Sequence, residues 1–135
     1  PAGLLDEPGA APLRAARREL AEETGLAAQE WDVLVDIALS PGFTDEAVRV
    51  FAARGLSVVD RPDPEHEEAD LEVHRVPVDE AVAMALRGEI VNATAVSGIL
   101  ALAAARAGTV ALRAPDAPWP DRPGTFARTR TEHAR

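Results

Sequence analysis

The apolar positions of the chain change their period several times, and each change marks an element. In 12–24, Leu13, Ala16 and Leu20 recur at three- and four-residue spacing while charged residues fill the gaps, the pattern of a helix with one apolar stripe. Pro12 suits the first helical turn, where its missing N–H would have no partner anyway, and Gly25 suits the end, where a left-handed residue closes the last turn. Residues 31–39, "WDVLVDIAL", and 47–59, "AVRVFAARGLSVV", are rich in β-branched and large apolar side chains, and "SPGFTDE" at 40–46 is turn-forming, so a hairpin is predicted. A third strand is predicted at 71–77, "LEVHRVP". Two more helices follow, 78–90 opened by Asp79 and Glu80 and closed near Gly88, and 92–108 with Asn92 as cap and an Ala/Leu/Ile face. The leading "PAGLLDEPGAAP" reads as a short extended piece and a loop, and the proline-rich stretch from Ala114 as a tail that packs loosely or is disordered.

A length of 135 residues, 47% of them hydrophobic, suits one domain with a packed core. The division expected is a domain at 1–113 and a tail at 114–135. No run approaches the roughly 20 apolar residues of a membrane helix, and no charged-then-apolar leader is present. With no cysteine there is no disulfide framework and no thiolate metal site. A soluble, cytoplasmic protein is the expectation. The net charge of −9 argues against nucleic-acid partners, whose affinity depends on basic surface. It leaves room for a small phosphate ester if a divalent cation stands between protein carboxylates and substrate oxygens.

Glu19, Glu22 and Glu23 fall near the C-terminal end of the first helix. Like charges three or four residues apart destabilise an isolated helix by about 0.2–0.5 kcal/mol per pair, and the helix dipole disfavours anions at this end. Further carboxylates stand at Glu46, on the 40–46 turn, and along the 60–70 loop "DRPDPEHEEAD". Carboxylates gathered from separate elements can hold magnesium, which takes oxygen ligands at about 2.0–2.1 Å and keeps waters and substrate phosphates. Another carboxylate can take a proton from the attacking water, so metal-assisted hydrolysis of a phosphoanhydride is the reaction class. The plainer reading is a solvated helix face and a solubilising loop. His66 and His74 have no partner at helical spacing and are expected to be exposed rather than metal-bound. Trp31 is expected in the core, and Trp119 either to anchor the tail or to touch ligand.

Gly3 followed by Arg18, Glu19, Leu20, Glu22, Glu23, Gly25 and Leu26 resembles the signature box of the Nudix hydrolases. "PAGLLD", "SPGFTDE", "EHEEADLEV" and "PVDEAVAMALRGEIVNATAVSGILAL" look like the ADP-ribose pyrophosphatase branch, and the likeness covers about 1–106. The resemblance implies an α/β fold, a mixed sheet between helices, and hydrolysis of ADP-ribose or a related nucleoside diphosphate sugar to AMP and a sugar phosphate. It implies Mg2+, with Mn2+ as an alternative, on Glu19 and Glu23, with Glu22 as an additional ligand and the Ala2 carbonyl completing the site. Arg18 would orient the glutamates, and Glu68, or Glu67 beside it, would be the base. Glu46 would face substrate or a metal water, Gly42 and Phe43 would shape the loop over the terminal ribose, and the protein would be a homodimer. A non-catalytic nucleotide sensor and a Nudix pyrophosphatase of different specificity are the alternatives.

Two departures bear on this. Ala10 stands where the box has a glutamate, and the spacing from Gly3 is one residue longer than the common form. Weakened organisation of the site is expected from the first. The resemblance also implies strands ahead of the box that help to form the dimer and the adenine site, and none precedes Pro1 in this sequence.

Overall fold

The computed structural model describes residues 1–3, 5, 11–60, 72–108, 110–120 and 122. The first helix, α1 (Pro12–Thr24), has the bounds predicted for it, with proline at its start. Its last turn closes on Gly25, at φ 64° and ψ 30°, whose N–H donates to the Ala21 carbonyl at 2.9 Å. This left-handed residue turns the chain directly into β1 (Leu26–Ala38), a conformation that glycine adopts without a Cβ penalty.

Strand β1 pairs antiparallel with β2 (Ala47–Val58), from Leu26 opposite Val58 to Ala38 opposite Ala47, with a register shift between Val33 and Val35. Thus β1 begins five residues before the predicted start at Trp31. The polar Gln29 and Glu30 masked the strand in the sequence, but they are exposed, and Glu30 lies opposite and pairs with Arg54. The hairpin turn falls at 40–46 as expected, and Arg113 adds a single bridge to Val33.

Helix α2 (Val78–Leu86) stops short of the predicted bound, and Gly88 at φ +76° follows its end. Helix α3 (Ala93–Arg106) is capped as predicted, with Asn92 Oδ1 accepting from the Ala95 N–H at 3.0 Å. The strand predicted at 71–77 is not formed over 72–77, where the chain is exposed and pairs with no strand. Among the described residues the sheet is the β1–β2 pair alone, and β-rich composition by itself does not make a strand without an edge to pair with.

Helix α3 lies on the Val50 face of the hairpin. A Cβ on Gly98 would come within 3.2 Å of Val50 Cγ1, so glycine permits this close approach. Side chains alternate along a strand, so Arg49 and Phe51 point to the other face. There Trp31 meets Phe51 edge-on, with ring centroids 6.1 Å apart, and its indole N–H donates to the Ala28 carbonyl. Helices α1 and α3 each touch both strands but not one another, which leaves the hairpin between them. Ala15, Leu20, Trp31, Val33 and Ala52 form the buried core among the described residues, and Trp31 takes the core role expected of it. The α/β class expected from the sequence holds, with an antiparallel sheet among the described residues. Among those residues no helix is long and apolar enough to cross a membrane.

Candidate active site

The last turn of α1 holds no basic residue, so Glu22 and Glu23 stand where the helix dipole disfavours them. Arg18, a turn earlier, offsets part of that cost. Its NH2 donates to Glu19 Oε1 at 2.9 Å and its Nε lies 3.7 Å from Glu22 Oε2. Glu19 and Glu23, four residues apart, share one face of the helix. Their side chains are 14% and 20% exposed, against 38% for Glu22, so these two are turned toward the body of the protein.

The backbone of residues 1–3 runs along this pair. A methyl group on Gly3 would fall 2.2 Å from the carboxyl carbon and from Oε1 of Glu19, so no side chain fits at position 3 unless the glutamate moves. The Ala2 N–H points to Glu23 Oε1 at 3.4 Å, and the Pro1 nitrogen lies 3.3 Å from Glu23 Oε2. Among the described residues no group of three acidic or histidine side chains is arranged to hold a metal ion. What converges is two carboxylates, oxygen donors of the kind hard divalent cations take, and a main-chain segment whose Ala2 N–H and Pro1 nitrogen face Glu23. The chemistry of Glu19 and Glu23, two inward-turned carboxylates on one helix face, fits such an ion, with Gly3 packed directly against Glu19.

Gly42, Phe43 and Glu46 stand apart from these groups, on the hairpin turn. The Phe43 and Thr44 N–H groups donate to the Ser40 carbonyl at 2.8 and 2.9 Å, and the Glu46 N–H to Thr44 Oγ1 at 3.1 Å. The Glu46 carbonyl accepts from the Leu39 N–H at 3.1 Å. The turn is therefore ordered from within, and Phe43 at its tip is 95% exposed. Glu67 and Glu68 lie outside the described residues, as do His66 and Ala10. His74 is exposed, as expected, and faces Glu72 at 3.3 Å.

A second polar cluster escaped the sequence reading. Asp36 accepts a two-pronged pair of hydrogen bonds from Arg49, Nε to Oδ1 at 2.7 Å and NH2 to Oδ2 at 3.0 Å, and a third from Arg113 NH1 at 2.8 Å. Burial pushes the Asp36 carboxyl up, but the hydrogen bonds and charges of Arg49 and Arg113 outweigh it and hold the group below its ordinary value. The Arg49 guanidinium also donates to the carbonyls of Ala117 and Pro118 and lies 4.8 Å from the centre of the Trp119 ring. Trp119 thus anchors the start of the tail, the first of the two roles the sequence left open. The signal available was the hairpin register: counting outward from the turn sets Asp36 opposite Arg49.

A groove of about 620 Å³ on the α3 side, lined among others by Asp32, Arg54, Leu102, Arg106 and Leu112, contains none of the candidate residues.

Residues 1–96 match the NUDIX domain family. The chain is 51% identical over 132 residues to a protein of Mycobacterium tuberculosis named ADP-ribose pyrophosphatase, covering 98% of this chain and 64% of that protein. It is 38% identical over 93 residues to a Bacillus subtilis protein of the same name, covering 69% of this chain and 50% of the relative. A GDP-mannose pyrophosphatase of Pectobacterium atrosepticum is 39% identical over 90 residues, 66% of this chain and 46% of that protein. The chain therefore spans 46–64% of the length of these relatives. A family match over most of the chain, with the glutamates of its box held against the backbone at Gly3, makes this chain a member of the Nudix family.

Proposed function

We propose that the chain carries the catalytic box of a metal-dependent Nudix pyrophosphatase, which hydrolyses ADP-ribose or a related nucleoside diphosphate sugar to AMP and a sugar phosphate. The observation that carries this reading is the seating of Gly3 directly on Glu19, with Ala2 beside Glu23 on the same helix face. Names of the relatives, ADP-ribose pyrophosphatase twice and GDP-mannose pyrophosphatase once, support the substrate class.

In this reading Glu19, Glu23 and the Ala2 carbonyl hold Mg2+, or Mn2+, and Glu22 adds a ligand. When bound, the cation supplies positive charge against the diphosphate oxygens and lowers the pKa of water. Arg18 keeps Glu19 and Glu22 oriented by charge-assisted bonds. Glu68, or Glu67, takes the proton of the attacking water, and Glu46 approaches the substrate or a metal-held water from the hairpin. Gly42 and Phe43 shape the turn over the terminal ribose. The domain is assigned to 1–113, with 114–135 as its tail, and the protein to the cytoplasm as a homodimer acting on a small molecule rather than on nucleic acid or membrane.

Purified full-length protein incubated with ADP-ribose and Mg2+ is expected to release AMP, and EDTA to stop it. Absence of AMP under conditions where ADP-ribose binds would overturn the hydrolase reading. It would favour the nucleotide-sensing alternative, which the replacement of the box glutamate by Ala10 supports. Product analysis over flavin dinucleotide, NADH, dinucleoside polyphosphates and sugar nucleotides separates the specificities.

A further inference from the structure

We propose that the chain segment at 113–119 is a strut that positions the 40–46 turn through Arg49, and so tunes how the turn meets substrate. This rests on the reading that the turn contacts substrate.

Arg49 is the point of attachment. Its side chain is only 3% exposed, and its donors are divided between the two structures it joins. Nε and one NH2 proton go to Asp36 across the hairpin, while NH1 reaches the Ala117 carbonyl at 2.7 Å and NH2 the Pro118 carbonyl at 3.0 Å. The Trp119 ring lies against the same guanidinium. A second tie runs in parallel, since Arg113 donates to Asp36 through its side chain and accepts the Val33 N–H through its carbonyl at 2.9 Å. A planar fork that bonds a carboxylate on one edge and carbonyls on the other is specific to arginine; a lysine ammonium cannot reproduce it.

The place of this attachment gives it consequence. From the Asp36–Arg49 rung the ladder continues through Ile37 opposite Val48 and Ala38 opposite Ala47 to the Leu39–Glu46 hydrogen bond. Glu46 is thus three residues, about 10 Å, from the clamp. The turn beyond is bonded within itself and its tip is exposed. Its orientation is therefore set by the hairpin stem, and the strut grips that stem at the rung nearest the turn that carries charged side chains. A residue acting this way is a positioning residue and touches no substrate.

The test compares Trp119→Leu and Arg49→Lys with Trp119→Phe, which keeps a ring for the guanidinium. Hydrogen exchange of the Leu39, Phe43 and Thr44 amides is expected to quicken several-fold in the first two variants and not in Trp119→Phe, with α1 and α3 amides unchanged. KM for ADP-ribose is expected to rise about 10-fold while kcat stays within about twofold. Unchanged exchange at the turn, or exchange that rises equally over the whole chain, overturns the strut. Faster exchange at the turn with unaltered KM upholds the strut and removes Gly42, Phe43 and Glu46 from the substrate site.

Discussion

The Cα of Gly3 stands so close to the carboxylate of Glu19 that a methyl group there would overlap its carboxyl carbon at 2.2 Å. Real non-bonded carbons do not approach so far, so the glycine and the glutamate define one another's positions. Gly3→Ala forces Glu19 out of its present place. Loss of a group that orients a metal ligand typically costs about 10–100-fold in metal affinity or activity, and a loss of that size is expected here in the Mg2+ dependence of AMP release. Residue 3 is exposed, so the melting temperature should hardly move. Unaltered Mg2+ dependence would mean that the contact is incidental.

Glu23→Gln and Glu19→Gln keep the shape of the side chain and remove its charge. If each holds the cation, turnover should fall by about 10²–10³, since the cation is worth several kcal/mol of transition-state stabilisation. Glu22→Gln should cost less, because its side chain is the most exposed of the three. Turnover by each variant at saturating Mg2+, beside a circular dichroism spectrum, decides between lost chemistry and lost fold. Equal effects for all three glutamates would count against the inward pair as the main ligands.

Helix α1 and its glutamates were legible because each feature is local: proline at the start, glycine at the end, and a stripe between them. The hairpin turn was legible for the same reason. The start of β1 was not, because Gln29 and Glu30 break the apolar pattern, and the partner of Glu30 is Arg54, on the opposite strand 24 residues away. Nor was the strut, whose parts are separated by 68 residues between Arg49 and Ala117. The absence of a strand at 72–77 depends on whether a partner edge is available, and no local composition carries that information.

Gly25 offers a test of the junction that aims α1 at the sheet. Its φ of 64° is in the left-handed region, where an L side chain costs about 1–2 kcal/mol. Its carbonyl also accepts the Val59 N–H at 3.0 Å, joining the helix end to the end of β2. Gly25→Ala is therefore expected to lower the melting temperature by roughly 3–8 °C. Gly25→Asn should lose less, since asparagine tolerates this conformation better. Equal losses for alanine and asparagine would show that something other than backbone conformation sets the cost.

The Asp36 carboxyl is lowered in the folded protein by two guanidinium groups despite its burial, and this fixes the sign of a pH effect. A carboxyl with a lower folded than unfolded pKa binds fewer protons when folded. Its contribution to stability is full above the unfolded value of about 4 and is lost as pH falls through the folded value beneath it. Asp36→Asn removes that contribution at every pH and leaves the Arg49 guanidinium without its carboxylate. Asp36 is only partly buried and Arg49 keeps the Ala117 and Pro118 carbonyls, so the loss expected is that of charge-assisted hydrogen bonds, about 1.5–3 kcal/mol. At pH 7 the variant should therefore melt several degrees below the parent. As the pH is lowered from about 5 toward 2, the parent should approach the variant, because a protonated Asp36 resembles an asparagine. Melting temperatures of the two proteins measured in parallel across that range provide the check. A gap that stayed constant would mean that Asp36 acts through packing and not through its charge.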